Sequence, residues 1–204
     1  MADDFPRPLA VPVRGSALAR GLLALLGWQF RMDGLPARQG VMVVYPHTSN
    51  WDFLYMVLAK WAAGFPMKFW GKASLFNIPL AGRWLRWIGG VPILRDSPRG
   101  VVGDMVRTLE QCRASDSFFW LALAPEGTRK WTAGWRSGFY QVANGANVPL
   151  GVCTVNYAAK TIEITHYFAL TGDVAVDMQR IATALQGASG KHPALAAPIQ
   201  IIEK

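Results

Sequence analysis

With 204 residues, the chain is long enough for one sizeable domain and short for two. Hydrophobic residues make up 51% and charged residues 17%, which is apolar for a soluble protein, yet no run approaches the roughly 20 apolar residues that span a bilayer. A net charge of +8 and nine tryptophans set among aliphatic residues point to an anionic membrane surface rather than to nucleic acid.

The start, Met1-Ala2-Asp3-Asp4-Phe5-Pro6, is acidic and broken by proline, unlike a secretory leader. Residues 1–15 read as an irregular arm. From Ser16 the run Ala17 to Leu26 is a helix candidate, apolar over most of its circumference, for which a core and an interfacial position both fit. Asp33-Gly34-Leu35-Pro36 reads as a turn. Val41 to Tyr45 is a short, β-branched apolar run that suits a buried strand, and Pro46 stops it. His47-Thr48-Ser49-Asn50-Trp51-Asp52 follows, with Ser49 and Asn50 offering N-cap oxygens to a helix from Trp51 to Ala63.

Gly64-Phe65-Pro66 closes that helix, and Met67 to Lys72 alternates as a second strand. Pro79 to Ile88 reads as a short helix carrying Arg83, Trp84, Arg86 and Trp87. Val91 to Arg95 gives a third strand with a basic end. Lys60, Lys68, Lys72, Arg83, Arg86, Arg95 and Arg99 face only Asp96 in this part of the chain, which suggests an anion-facing surface. Arg99 to Ala114 is the clearest helix, with Val102, Met105, Val106 and Leu109 on one side. Phe118 to Leu123 is continuously apolar, as a strand covered on both faces of a parallel sheet would be. A helix over Gly134 to Gly145, strands over Val148 to Val155 and Thr161 to Phe168, and a last helix over Asp173 to Leu185 complete the reading.

Strands alternating with helices predict an α/β fold: a single three-layer domain with a mostly parallel central sheet flanked by helices. Residues 41–204 would form that domain. Residues 1–40 would be an arm and helix, the part nearest a membrane.

The chemistry gathers at two strand ends. On one regular helix His47 and Asp52 would diverge by roughly 140°. With His47 in the loop and Asp52 in the first helical turn, the chain can fold back and join them. A carboxylate accepting from one imidazole nitrogen leaves the other as a base. No serine or cysteine nucleophile is evident, so the base would act on a substrate hydroxyl. At the carboxyl end of the Phe118–Leu123 strand comes Glu126-Gly127-Thr128-Arg129, where sites in parallel sheets lie. Gly127 permits close backbone approach, Thr128 adds a hydroxyl, and Arg129 carries a planar fork suited to phosphate. Cys112 and Cys153 read as core thiols. His166 and His192 lack ligand spacing with each other or with the cysteines, so no metal site is expected.

His47-x-x-x-x-Asp52 followed by Glu126-Gly127-Thr128-Arg129, each after a strand and in this order, resembles the glycerolipid acyltransferase family, whose best-known members acylate lysophosphatidic acid. The resemblance runs from about Val41 to Tyr157, and Asn147-Val148-Pro149 matches the family's closing valine-proline element. Pro46 departs from the asparagine of many members, and Leu150 from a usual β-branched residue.

The resemblance implies His47 as general base and Asp52 as its orienting partner. It also implies that Lys72, Arg95 and the stretch from Glu126 to Arg129 hold a phosphate or other polar head. The implied reaction moves an acyl group from acyl-CoA or acyl-carrier protein, a co-substrate rather than a cofactor, to a lysophospholipid-like hydroxyl such as that of 1-acyl-glycerol-3-phosphate. It would run at the cytoplasmic side of a membrane, with the protein peripheral or monotopic. Trp51, Phe53, Trp70 and Trp84 are candidates for an acyl groove or for core. Two rivals stay open: a thioesterase or lipid hydrolase using the same His-Asp pair, and a non-catalytic basic protein binding acidic lipid.

Overall fold

The computed structural model describes residues 4–93 and 98–202. In chain order its elements are α1 (Ala17–Leu25), β1 (Gln29–Met32), β2 (Gln39–Tyr45), α2 (Trp51–Ala63), β3 (Met67–Lys72), α3 (Ala73–Phe76), α4 (Ala81–Trp87), β4 (Gly90–Ile93), α5 (Pro98–Ala114), β5 (Phe119–Leu123), α6 (Gly138–Gly145), β6 (Leu150–Asn156), β7 (Thr161–Phe168) and α7 (Val174–Ala184), with a single 3₁₀ turn at Pro193–Leu195. The seven strands form one sheet in the order β1-β7-β6-β2-β5-β3-β4. Every pairing is parallel except the β6–β7 hairpin.

The two central strands are those with unbroken apolar runs. Val41, Met42 and Val43 of β2, and Trp120 and Leu121 of β5, are fully buried because helices cover both faces. One layer packs Ala19 and Leu23 of α1 and Leu58, Ala59 and Ala62 of α2 on Met42 and Trp120. The opposite layer packs Leu109 of α5, Phe139 and Val142 of α6 and Ile181 of α7 on Val41, Val43 and Leu121. Each Val, Leu, Ile, Phe or Met side chain among them contributes about 1.5–3 kcal/mol on leaving water. Gly40 is required by this packing, since a β-carbon there would lie 2.4 Å from the Trp120 ring.

The three-layer architecture is as expected. Two elements differ. The helix expected from Gly134 starts only at Gly138, because Trp135 bridges to Ile201: its N–H donates to the Gln200 carbonyl at 2.7 Å, and its carbonyl accepts from Ile202 at 2.9 Å. The run from Gln29 to Met32 forms a strand, β1, pairing with β7 at the sheet edge. So of residues 1–40, expected as an arm and helix beside the domain, β1 joins the sheet and Leu23, Trp28 and Leu35 join the core. The arm itself is tied down where Arg7 donates to Asp33 and to the Thr165 carbonyl.

Among the described residues no helix is long and apolar enough to cross a membrane. Several large apolar side chains nevertheless face solvent, with Leu18, Leu25, Leu80 and Trp87 each more than 70% exposed. Trp61 and Trp87 touch edge to face at 6.2 Å. Leu18, Leu22, Lys60, Trp61, Phe65 and Pro66 line a groove of about 370 Å³ between α1 and the last turns of α2.

Candidate active site

Because β2, β5, β3 and β4 run parallel, their carboxyl ends share one edge of the sheet. His47 follows β2, the Glu126 turn follows β5, and Lys72 ends β3. Adjacent strands lie roughly 4.8 Å apart, so groups from three strands fall within reach of one small molecule.

At the β2–α2 junction the chain folds back as its spacing suggested. His47 Nδ1 lies 3.1 Å from Oδ2 of Asp52. The same oxygen accepts the backbone N–H groups of Thr48 and Ser49, each at 2.9 Å. Asp52 thus ties down the loop that leads into its own helix, and it sits in the first helical turn, where the dipole favours negative charge. The expected caps are weaker: Asn50 makes no side-chain cap, and Ser49 Oγ accepts from Trp51 N–H at 3.3 Å. The second oxygen of Asp52 accepts from the Tyr157 hydroxyl at 2.6 Å.

Asp52 is fully buried, and burial pushes its carboxyl up. The hydrogen bonds from His47, Tyr157 and the Ser49 N–H outweigh that and hold it below the usual carboxylate range. An ionised carboxylate can only accept, so the proton of the 3.1 Å bond sits on Nδ1 of His47. In the neutral ring it is Nε2 that carries the free lone pair. The His47 side chain is 21% exposed, so this nitrogen belongs to a ring that solvent can reach.

Glu126 joins the second turn to the first. One carboxylate oxygen accepts the His47 backbone N–H at 2.6 Å, the other the Ala197 N–H at 3.0 Å. Burial pushes the Glu126 carboxyl up, and these two N–H donors counter part of the rise. Its functional groups face the protein interior, so the residue braces the His47 loop. Gly127 has φ +66°, a left-handed conformation that favours glycine, and its open side is filled by the Arg136 side chain. Thr128 Oγ1 accepts from Lys130 N–H at 3.2 Å. Arg129 and Lys72 are both exposed, Lys72 at the end of β3 and Arg129 in the turn after β5. Arg95 lies outside the described residues.

Of the candidate acyl-groove aromatics, Phe53 packs edge to face on Phe69 and Trp84, at 5.6 and 5.9 Å. Trp70 sits against the core with its indole N–H buried and without a hydrogen-bond partner. Trp51 is half exposed beneath the Lys191 ammonium, 5.0 Å from its ring centre.

Sequence reasoning missed two supports. Tyr157 follows β6, whose parallel pairing with β2 brings it beside the His47 loop. A strand-end position on the same sheet edge was the signal that could have found it. The segment from Ser189 to Ala197 carries no motif, yet it backs the whole loop. His192 N–H donates to Thr48 Oγ1 at 3.2 Å, Tyr157 N–H donates to the Ser189 carbonyl at 2.7 Å, and the Tyr45 hydroxyl donates to the Ala197 carbonyl at 2.9 Å.

A mostly parallel α/β sheet with a steered imidazole at its carboxyl edge defines the class, and its fold is shared with a solved structure. The crystal structure of the 1-acyl-sn-glycerophosphate (LPA) acyltransferase PlsC from Thermotoga maritima superposes with a TM-score of 0.53 at 14% identity, covering 82% of this chain and 73% of that one. The chain belongs to the acyltransferase family, whose model, described as Acyltransferase, matches residues 29–156. It is also 33% identical over 87 residues to a Streptococcus pneumoniae protein named 1-acyl-sn-glycerol-3-phosphate acyltransferase. That match covers 39% of this chain and 32% of the relative, so it spans about a third of the relative's length.

Proposed function

We propose that the protein is an O-acyltransferase that moves a fatty acyl group from an acyl thioester, acyl-CoA or acyl-carrier protein, to the hydroxyl of a lysophospholipid-like acceptor such as 1-acyl-glycerol-3-phosphate. The observation that carries this reading is the buried Asp52 carboxylate bound to Nδ1 of a solvent-accessible His47. Family membership and the relatives' names support it.

In this mechanism His47 Nε2 takes the acceptor's hydroxyl proton as the oxygen attacks the thioester carbonyl. The carbon–sulfur bond then breaks, and the imidazolium returns the proton to the departing thiolate. Asp52 holds the tautomer and stabilises the imidazolium. A positioned base contributes roughly 10² to 10⁴ in rate, and holding donor and acceptor together supplies much of the rest. Arg129 and Lys72, with Arg95 beyond the described residues, would neutralise the acceptor's phosphate. Gly127 and Thr128 would bring backbone close to it. Glu126 would act from behind, through the His47 N–H. The mechanism needs no metal and no cofactor.

The acceptor is amphiphilic, and the exposed Leu18, Leu22, Leu25, Trp61 and Trp87 suit a bilayer surface. The net charge of +8 favours an anionic one, as on the cytoplasmic side of a membrane, with the protein peripheral.

The test is incubation of the purified protein with labelled acyl-CoA and a panel of lysolipids, with products read by mass spectrometry. Acceptor-dependent diacyl product is expected. Free fatty acid formed equally well without acceptor would instead make the protein a thioesterase.

A further inference from the structure

A carboxylate turns easily about its terminal bond, so a single hydrogen bond to an imidazole does not fix which oxygen is used. In Asp52 both oxygens are committed. Oδ2 takes His47 Nδ1, Thr48 N–H and Ser49 N–H, whereas Oδ1 takes the Tyr157 phenol at 2.6 Å.

Tyr157 is itself held from several sides. Its N–H donates to the Ser189 carbonyl at 2.7 Å, its ring meets Trp28 edge to face at 4.9 Å, and Tyr55 packs beside it at 6.0 Å. From these contacts we infer that Tyr157 is a positioning residue: by holding Oδ1 of Asp52 it keeps Oδ2 on Nδ1 of His47, and so keeps Nε2 free as the base. The kinetic consequence rests on the acyl-transfer reading above. The effect on the imidazole does not.

Burial, followed by the Asp52 bond and charge, pushes the Tyr157 phenol up, so it remains a donor wherever the enzyme is folded. The other ionisable groups around the pair act elsewhere. Glu126 accepts from the His47 backbone, the Tyr45 hydroxyl donates to Ala197, and Tyr55 stacks on Trp28. Lys191 lies over Trp51, and His192 reaches the loop through its backbone N–H. Among the described residues, the phenol is the donor seen on Oδ1.

The test is Tyr157→Phe in the full chain, read in two ways. The first is the ¹⁵N spectrum of the His47 ring, which distinguishes a proton on Nδ1 from one on Nε2 without any substrate. The parent should show the Nδ1–H form, and the variant a mixture of both. The second is the rate of acyl transfer against pH. Losing one hydrogen bond of ordinary net strength should lower kcat about five- to tenfold and leave KM for both substrates nearly unchanged. Removing a donor from the carboxylate leaves it more negative toward the base that it steers, which favours the protonated base, so the acid limb of the profile should move up by about half a unit.

An unchanged tautomer and an unmoved acid limb would overturn the inference, even if the variant melted earlier. If Tyr157→Phe fails to fold, 3-fluorotyrosine at this position keeps the shape and strengthens the donor. It should move the acid limb down, and no movement would count equally against the inference. A parent protein that transfers no acyl group would refute the proposed function, while the ring spectra would still decide the role of Tyr157.

Discussion

Glu126 and His47 meet through the backbone: one carboxylate oxygen of Glu126 accepts the His47 N–H at 2.6 Å. The pairing of Val43 with Leu123 places the two strand ends side by side and makes this contact available. Ala197 occupies the other Glu126 oxygen, so one side chain fastens three separate stretches of chain.

Glu126→Gln follows directly. A glutamine offers one acceptor oxygen where two N–H groups need one each, and its amide N–H would face a second donor. Relief of the desolvation that pushes the Glu126 carboxyl up offsets part of the loss. A net destabilisation of about 1–2 kcal/mol is expected, with a melting temperature lower by roughly 2–8 °C and a reduced kcat. Calorimetry showing equal or greater stability would contradict the brace.

Gly190 lies against the same loop. A β-carbon there would fall 2.5 Å from Thr48 Oγ1 and 3.3 Å from the Pro46 side chain. Gly190→Ala should therefore push the His47 loop and lower kcat by about tenfold or more, since small displacements of catalytic groups are costly. Steady-state kinetics beside a melting curve would check it. A loss of stability with normal turnover would mean that the loop absorbs the methyl group elsewhere.

The Asp52 carboxyl is held below its ordinary value near 3.8, so the folded state binds its proton more weakly than the unfolded chain does. Its contribution to stability is therefore present above that ordinary value and is lost as pH falls through the folded one. Asp52→Asn should cost about 2–3 kcal/mol near pH 7, because it removes the ionised acceptor of four hydrogen bonds, and distinctly less near pH 3. Urea denaturation of parent and variant at the two pH values measures this. A penalty independent of pH would show that shape, rather than charge, is what Asp52 supplies.

The exposed apolar face should bind bilayers. Leu18→Ser combined with Trp87→Ser is expected to weaken sedimentation with anionic vesicles by about tenfold or more, each side chain carrying part of its burial energy. Turnover of a dispersed, short-chain acceptor should stay near that of the parent. Unchanged vesicle binding would move the docking surface to another face.

Much of this was legible in the chain because it is local. The Val41–Tyr45 and Phe118–Leu123 runs are apolar along their length because both faces of those strands are covered. The His47–Asp52 pair lies within one loop and one helical turn, so spacing alone brought it within reach. What escaped depends on distant partners. Strand β1 has four residues in the alternating burial pattern of an edge, a weak signal without β7 beside it. Trp135 leaves the expected helix for a partner 66 residues on, at Ile201. Tyr157 meets Asp52 across 105 residues, and no local pattern records such a contact. Glu126 was placed correctly at a strand end, but its direction was set by the Ser189–Ala197 segment, which carries no motif.

The measurement that bears most directly on the account is acyl transfer by His47→Ala beside the parent, with labelled acyl-CoA, the preferred lysolipid and a melting curve for each. Turnover should fall by about 10² or more while the melting temperature stays within a few degrees, since the proposed base is a partly exposed imidazole and not a core side chain. A folded variant that still transfers the acyl group at close to the parent's rate would remove His47 from the chemistry and the mechanism with it.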